Sequence, residues 1–207
     1  VDNCLIESIT LFALPFVARP QRDVVIRHRP NMLSGVHPSA LQVFEKVSYE
    51  SWDGNSKLGD KCDFFVVCGA GLLDIGFAEG KPIFNLHPGI IPLSRGLDSF
   101  KWAILGGDPI GNTLHLIDQE VDMGKIILIK KTPVLPGDNL IRLARRHYEA
   151  EIAILGGLMN YIDGEERVLF PPKPPKKRMK KEDEEKVVQC FESWKSKFIC
   201  KTNQVEC

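Results

Sequence analysis

The stretch "FNLHPGIIPLSRGLD", residues 84–98, decides how the surrounding chain is expected to fold. The apolar run Pro82–Leu86 predicts a β-strand, and Asn85 and His87 stand two residues apart at its end. Side chains at positions i and i+2 of a strand point to the same face of the sheet. Because Pro88 has no backbone N–H for a central strand position, we expect the strand to end there, with an amide and an imidazole side by side.

Apolar runs and helix patterns alternate around this stretch and indicate an α/β layered domain. The run "DFFVVC", Asp63–Cys68, predicts a strand buried on both faces, as in a parallel sheet, with Cys68 as a buried thiol. From Asp138, a good N-cap, apolar residues recur every three or four positions to Ile162, with Gly164 beyond the end, and this pattern predicts a long helix. The other expected elements are strands at Thr113–Ile117 and Ile126–Lys130 and a helix at Leu97–Leu105.

Composition limits the class of protein before any motif is considered. Lys and Arg together number 27, as do Asp and Glu, so the formal net charge is zero. This balance argues against a large nucleic-acid surface, and no run approaches the roughly 20 apolar residues that a membrane helix needs. The six cysteines form no Cys-x-x-Cys pair, which is typical of a reducing compartment and argues against a zinc site or a disulfide frame. We therefore expect a cytoplasmic protein.

The two ends of the chain carry separate expectations. The first residue is Val1 and no charged segment precedes an apolar core, so we expect no signal peptide and expect that N-terminal sequence is missing. At Pro171 the composition becomes proline-rich, then basic, then acidic, which favours a solvated linker; contact of the basic run Lys173–Lys181 with tRNA is the alternative. An apolar stripe along Val187–Phe198 predicts one amphipathic helix that packs on its own core or in a homodimer. The domains expected are residues 1–165, with an N-terminal strand missing, and an arm with a helix over 171–207.

Two further segments bear on the pair at the strand end. "GVHPSA", residues 35–40, also contains His-Pro but lacks the strand and the asparagine before it, so we interpret His37 as a loop residue. "GNTLHLIDQEVDMGKIILIK", residues 111–130, predicts a strand, an acidic loop and another strand. In that loop Asp122 is followed by Met-Gly, so the chain can turn sharply beside a carboxylate.

Taken in order and at this spacing, short motifs of the chain resemble the signature of the folate-dependent formyltransferases. That family includes glycinamide ribonucleotide transformylase, methionyl-tRNA formyltransferase, formyltetrahydrofolate hydrolase and the bacterial sugar N-formyltransferases. The resemblance covers roughly Asp60 to Gly164, and it rests on Asn-x-His-Pro at 85–88, Ile-Pro at 91–92, Arg-Gly at 95–96, Thr-x-His at 113–115 and Val-Asp-x-Gly at 121–124. The expected fold class is therefore α/β: a mostly parallel, Rossmann-like sheet with helices on both faces, followed by a short C-terminal arm and helix.

The resemblance implies a reaction in which an amine attacks the formyl carbon of N10-formyltetrahydrofolate, with no metal. It places the family's catalytic residues at Asn85, His87 and Asp122. An amide N–H suits a developing oxyanion, an imidazole suits proton transfer or a second oxyanion contact, and the carboxylate would orient or charge-stabilise the imidazole. The alternative is that Asn85 and His87 are polar residues that only satisfy a strand-end turn.

The resemblance also implies binding residues around this set. On the amine-substrate side it implies Ser94, Arg95, Gly96 and His115, although a solvated loop arginine and a histidine paired within the sheet are the alternatives for Arg95 and His115. For the folate it implies contacts with two loops, and the two glycines of the first loop have a simple turn as their alternative. The folate-side residues are Gly69, Gly71, Leu72, Leu73, Ile117, Asp118 and Val121.

Departures from the family bear on the formyl acceptor. The sequence indicates no second domain like that of the tRNA enzyme and no regulatory domain like that of the hydrolase. It also shows neither the opening strand nor the glycine-rich loop of the purine enzyme, for which truncation is the alternative explanation. "RGLDSFKWAIL", residues 95–105, is most similar to the sugar branch, so we expect a nucleotide-linked amino sugar as the acceptor. Glycinamide ribonucleotide, methionyl-tRNA, or a non-catalytic domain that binds folate or a nucleotide are the alternatives.

Overall fold

The computed structural model describes residues 6–15, 23–29, 37–69, 73–120, 122–168 and 170–199. The chain divides into two units, Val1–Gln21 with Asn31–Pro82 and Arg22–Pro30 with Ile83–Cys207. The described strands are β1 (Ile9–Ala13), β2 (Val47–Ser51), β3 (Phe65–Val67), β4 (Ile83–His87), β5 (Gly111–Leu116) and β6 (Ile126–Lys131). The described α-helices are α1 (Ser99–Gly106), α2 (Leu140–Gly156) and α3 (Lys181–Phe198), and short 3₁₀ helices lie at Pro38–Val43, Gly59–Lys61, Ile75–Ala78 and Leu158–Asn160.

The first unit contains an opening strand that the sequence analysis missed. β1 pairs in parallel with β2, from Ile9 opposite Val47 to Ala13 opposite Ser51, so the expectation that the chain lacks such a strand is wrong. β3 is shorter than predicted and only its Phe65 is buried. Cys68, predicted to be a buried thiol, is exposed, because the chain leaves the strand after Val67.

The second unit holds β4, β5 and β6, and each of these strands runs antiparallel to its neighbour. Phe84 lies opposite Leu116 in the pair of β4 with β5, and Gly111 lies opposite Lys131 in the pair of β5 with β6. This direction differs from the mostly parallel sheet that we expected. The connection from β5 to β6, residues 117–125, is shorter than the dozen or more residues that a parallel crossover needs.

The core of the second unit is formed by the three α-helices. Phe100 and Ile104 of α1, Leu143 of α2, and Val187 and Trp194 of α3 belong to one buried cluster. Burial of large apolar side chains stabilises such a core by about 1.5–3 kcal/mol each. The apolar stripe of α3 is therefore used within the chain's own core, which removes the alternative that this stripe is buried in a homodimer.

Helix α2 begins and ends at other residues than predicted. Its N-cap is Asn139, whose side chain accepts a hydrogen bond from the Arg142 amide, whereas Asp138 pairs through both oxygens with Arg146. The helix ends at Gly156, where a second glycine follows. Its buried face also differs from the predicted stripe, because His147 and Glu151 are buried with polar partners while Ile141 and Ile152 are exposed; Ile141 is 69% exposed.

The basic segment Lys173–Lys181, called the arm below, is not the solvated linker that we expected. Its cations have partners within the second unit: Lys173 pairs with Asp108, Arg178 with Asp98 and Lys181 with Asp23, and Lys176 lies over the ring of Trp102. Met179 of the arm is fully buried in the helical core. The arm is thus held by the second unit at several points, and three of its six cations are balanced by carboxylates of the chain itself. Among the described helices, none has the length and apolarity required to cross a membrane.

Candidate active site

Strand β4 holds Asn85 and His87 two residues apart, as predicted, and it pairs with β5. Asn85 lies opposite His115 and His87 lies opposite Thr113 in the antiparallel register. His87 is the last residue of the strand, and the Thr113 hydroxyl donates to the Gly89 carbonyl, which follows Pro88. The side chains of Asn85, His87 and His115, together with Asp122, form the cluster that we call the catalytic cluster.

His87 is held in one orientation by a backbone carbonyl. Its Nε2 lies 2.7 Å from the Ser94 carbonyl oxygen, and its side chain is almost fully buried. A carbonyl oxygen only accepts hydrogen bonds, so Nε2 carries a proton and donates it. The other ring nitrogen, Nδ1, then has the lone pair of the neutral imidazole, and it lies 3.6 Å from Oδ1 of Asp122. A proton received at Nδ1 would be stabilised by this carboxylate.

His115 fixes the orientation of the Asn85 amide. Nδ1 of His115 lies 2.9 Å from the Leu116 carbonyl and must donate to it, which leaves Nε2 of the neutral ring as an acceptor. Nδ2 of Asn85 lies 3.1 Å from this Nε2 and donates to it. Burial lowers the pKa of His115 below its usual range, which favours the neutral ring that this hydrogen bond requires. The second N–H of Asn85 makes no hydrogen bond to the described residues.

Asp122 reaches the cluster from the loop between β5 and β6. Its backbone is in the left-handed region, with φ of 50°, and its side chain is largely buried. A Cβ on Gly124 would lie only 1.8 Å from the Leu116 carbonyl, so the tight return of this loop requires a glycine. Oδ2 of Asp122 accepts a 2.7 Å hydrogen bond from the Gly96 amide, while Oδ1 faces His87 and lies 3.8 Å from Nε2 of His115.

Gly89 supports the cluster, and the sequence analysis did not identify it. A Cβ at this position would lie 2.5 Å from the Ser94 carbonyl and 2.7 Å from Nε2 of His87. Only a residue without a side chain therefore allows the bond between His87 and Ser94. The glycine that follows His-Pro was the available signal, because a glycine directly beside a functional side chain often marks a close approach of the backbone.

The predicted substrate-side residues have different surroundings in the structure. Ser94 is buried, its hydroxyl donates to the Ser99 carbonyl, and its own carbonyl holds His87. Arg95 is only 9% exposed and its guanidinium donates to the Lys173 carbonyl in the arm. Gly96 donates its amide to Asp122. The loop 94–98 thus contacts the catalytic cluster through its backbone, and the Arg95 side chain is turned to the arm.

The predicted folate-side residues are placed only in part. Ile117 donates its amide to the Ile83 carbonyl, and Asp118 is exposed with its carboxylate bound to the Glu120 amide. Gly69 has φ of 81° with open space around its Cα, and Leu73 is half-buried; both belong to the first unit. Gly71, Leu72 and Val121 lie outside the described residues. Within the described part of the chain, no group of three His, Cys, Asp or Glu side chains is arranged to hold a metal ion.

Comparisons with known proteins cover the part of the chain that holds this cluster. Residues 76–157 match the family model described as formyl transferase. Over 73 residues the chain is 38% identical to phosphoribosylglycinamide formyltransferase of Haemophilus influenzae, which is 35% of this chain and 34% of that protein. Over 74 residues it is 39% identical to the trifunctional purine biosynthetic protein adenosine-3 of Gallus gallus, which is 35% of this chain and 7% of that protein. The matched part therefore spans about a third or less of the length of these curated relatives.

Solved structures are similar over more of the chain. The formyltransferase PseJ from Anoxybacillus kamchatkensis, in complex with UDP-4,6-dideoxy-4-formamido-L-AltNAc and tetrahydrofolate, is 21% identical with a TM-score of 0.56 over 93% of this chain and 97% of that one. A sugar N-formyltransferase from Shewanella is 18% identical with a TM-score of 0.52 over 65% of this chain and 68% of that one. These likenesses confirm the predicted Rossmann-like α/β fold class. The part of the chain that holds Asn85, His87 and Asp122 lies within residues 76–157, which are similar to the formyl transferase family.

Proposed function

We propose that this chain transfers a formyl group from N10-formyltetrahydrofolate to a primary amine, with Asn85, His87 and Asp122 as the catalytic residues. The observation that carries the proposal is the pairing of His87 with its two neighbours. Nε2 is bound to the Ser94 carbonyl and Nδ1 lies 3.6 Å from Asp122. One nitrogen is thus fixed, and the other is placed where a carboxylate stabilises an added proton.

The chemistry of the donor set fits formyl transfer. The reaction joins the amine nitrogen to the formyl carbon, breaks the bond from that carbon to the folate nitrogen, and develops negative charge on the formyl oxygen in between. Asn85 has an N–H that His115 does not use, and this N–H suits that oxygen. The amine would lose a proton, and Nδ1 of His87 would accept it. Asp122 would stabilise this proton on the ring, and His87 would then donate it to the departing folate nitrogen. Ile117 and Asp118 remain our proposed folate contacts, together with Gly69, Gly71, Leu72, Leu73 and Val121.

A nucleotide-linked amino sugar is the acceptor that we favour. The stretch Arg95–Leu105 supports this choice by its likeness to the sugar branch of the family. Within that stretch, Arg95 holds the arm and Gly96 holds Asp122. The other predicted residues of the amine side would then act by positioning the catalytic residues rather than by binding the nucleotide. Ser94 would position His87, Gly96 would position Asp122, and His115 would position Asn85.

Glycinamide ribonucleotide is the second candidate acceptor, because the 73 residues shared with the Haemophilus influenzae purine enzyme are 38% identical. Methionyl-tRNA is disfavoured by the arm, since four of its cations already have partners within the chain. A non-catalytic domain that only binds folate or a nucleotide is the competing hypothesis from another class. The surroundings of His87 argue against this binding-only hypothesis. Binding alone does not require an imidazole that is held by a backbone carbonyl and lies beside a carboxylate.

Turnover of N10-formyltetrahydrofolate, followed by absorbance, tests the proposal. The full chain would be assayed with nucleotide-linked amino sugars, glycinamide ribonucleotide, methionyl-tRNA and water alone. We expect turnover with an amino sugar and none with water. Turnover with glycinamide ribonucleotide would establish the reaction and overturn our choice of acceptor. Binding of folate without turnover across the whole panel would reject the enzyme in favour of the binding domain.

A further inference from the structure

The loop Ser94–Asp98 contacts both His87 and Asp122 of the catalytic cluster. The Ser94 carbonyl accepts from Nε2 of His87 at 2.7 Å, and the Gly96 amide donates to Oδ2 of Asp122 at 2.7 Å. Both contacts use backbone groups, so their geometry depends on the path of the loop and not on a side-chain rotamer. Whatever fixes this path also fixes the relative position of His87 and Asp122.

The arm runs beside this loop and pairs with it through the backbone. The Lys173 amide donates to the Pro92 carbonyl at 3.0 Å, and the Lys176 amide donates to the Arg95 carbonyl at 2.9 Å. In return the Leu97 amide donates to the Lys176 carbonyl at 2.9 Å, so Gly96 and Lys176 form a parallel bridge. The guanidinium of Arg95 adds a bond to the Lys173 carbonyl.

Gly96 is the residue where the loop and the arm approach most closely. A Cβ on Gly96 would lie 2.4 Å from the Lys176 carbonyl oxygen and 2.7 Å from the Lys176 amide nitrogen. Its φ of 83° also favours glycine. The amide of the same residue donates to Asp122, so one glycine joins the arm on one side to the catalytic cluster on the other.

Buried charges anchor the arm at its far end. Asp98 accepts from the Met179 amide at 2.9 Å and pairs with Arg178 at 3.3 Å. Lys101, which is 2% exposed, lies between Asp98 at 3.7 Å and Glu184 of α3 at 2.5 Å. A buried charge that loses its partner is strongly destabilising, so this network resists separation of the arm from the loop.

We propose that the arm, Lys173–Lys181, is a positioning element of the catalytic centre, which holds loop 94–98 so that His87 and Asp122 stay in register. The inference rests on the proposed function for its effect on turnover. Its structural part, the dependence of His87 on the arm, stands apart from that function. Gly96 and Asp98 are the positioning residues through which the arm acts.

The test compares two glycine substitutions in the full chain. Gly96→Ala introduces the clash with Lys176, whereas Gly107→Ala has a similar positive φ of 73° but no atom within 4 Å of the new Cβ. Both variants carry the backbone strain, and only the first disturbs the arm. Limited digestion with trypsin measures docking of the arm, which contains Lys176, Lys177 and Arg178 as cleavage points. The Nε2 proton of His87, which we expect to exchange slowly with solvent, measures its bond to Ser94 when it is followed by NMR.

We expect Gly96→Ala to be cut faster within the arm, to lose the ring proton signal of His87, and to lower kcat about 100-fold with KM little changed. Gly107→Ala should keep the wild-type pattern in all three measurements. Faster cleavage of the arm with an unchanged His87 signal would overturn the proposal. Equal losses in both variants would also overturn it, because the strain and not the arm would then be responsible.

A milder variant covers the case in which Gly96→Ala fails to fold. Asp98→Asn keeps the left-handed backbone, φ of 54°, since asparagine adopts it readily, and it removes the charge that holds Arg178 and Lys101. We expect a smaller increase in cleavage of the arm and a matching weakening of the His87 signal. If the wild-type chain turns over no formyl donor, the proposed function fails, and the cleavage and ring-proton measurements still decide whether the arm positions His87.

Discussion

The chain contains His-Pro twice, and the two pairs show what a catalytic histidine needs. His37 is exposed, and its Nδ1 caps the short helix Pro38–Val43 by accepting from the Ser39 amide. His87 is 5% exposed, with one nitrogen on a carbonyl and the other facing a carboxylate. The dipeptide is the same, so the difference comes from the groups that surround each ring. The proton of a histidine ring is held on one defined nitrogen only where each of the two ring nitrogens has its own partner in the fold.

Substitution of each histidine by alanine is the strongest test of this comparison. We expect His87→Ala to lower kcat about 10²- to 10⁴-fold, the usual contribution of a general acid or base. His37→Ala should leave kcat and KM unchanged, because its ring only caps a helix and contacts Tyr49. Steady-state kinetics with the acceptor found in the panel would measure both, with circular dichroism to check that each variant is folded. Equal activity of His87→Ala and the wild type would remove His87 from the mechanism.

The site residues that could be predicted from the sequence are those with the two-residue spacing of a β-strand. Asn85 and His87 were placed correctly on one strand, and His115 and Asp122 lie with them in the structure. The residues that were missed act through the backbone. Gly89 and the Ser94 carbonyl have no side-chain chemistry to identify, and only three-dimensional contacts show their use.

The fold was predicted less well where charge and composition suggested solvent. The arm was expected to be a solvated linker because it is rich in proline and lysine. In the structure, however, four of its six cations have partners in the chain, as do the amides of Lys173, Lys176 and Met179. The composition of a segment gives the number of its charges. It does not show whether distant residues such as Asp98 and Asp108 pair with those charges in the folded chain. The antiparallel direction of β5 and β6 was predictable, because the connection between them is too short for a crossover.

A substitution beside His87 sharpens the comparison, because it changes the surroundings and leaves the ring in place. Gly89→Ala would put a Cβ 2.7 Å from Nε2 of His87 and 2.5 Å from the Ser94 carbonyl, so the bond between them must break. We expect kcat to fall about 100-fold, as for a catalytic group displaced by about 1 Å. Gly137→Ala is the matched control, since no atom lies within 4 Å of its new Cβ. Retention of wild-type kcat by Gly89→Ala would show that the fixed Nε2 proton is not needed.

A third histidine separates burial from catalysis. His147 of α2 is 3% exposed; its Nδ1 accepts from the Thr132 hydroxyl at 2.8 Å, and its Nε2 lies 3.4 Å from the Pro88 carbonyl. Burial lowers the pKa of His147 to about 4, against the opposing effect of Pro88. Since the ordinary pKa is 6.5, the unfolded chain binds a proton in a pH range where the folded chain does not. The free energy of unfolding therefore falls as the pH drops from about 6.5 towards 4.

His147→Gln has no ring to protonate. Its free energy of unfolding, measured with urea at pH 7.5 and at pH 4, should therefore decrease less between these two pH values than that of the wild type, by up to about 3 kcal/mol. His37→Ala should keep its turnover at neutral pH. If His147→Gln loses as much stability in acid as the wild type, burial of this ring has no part in the acid sensitivity.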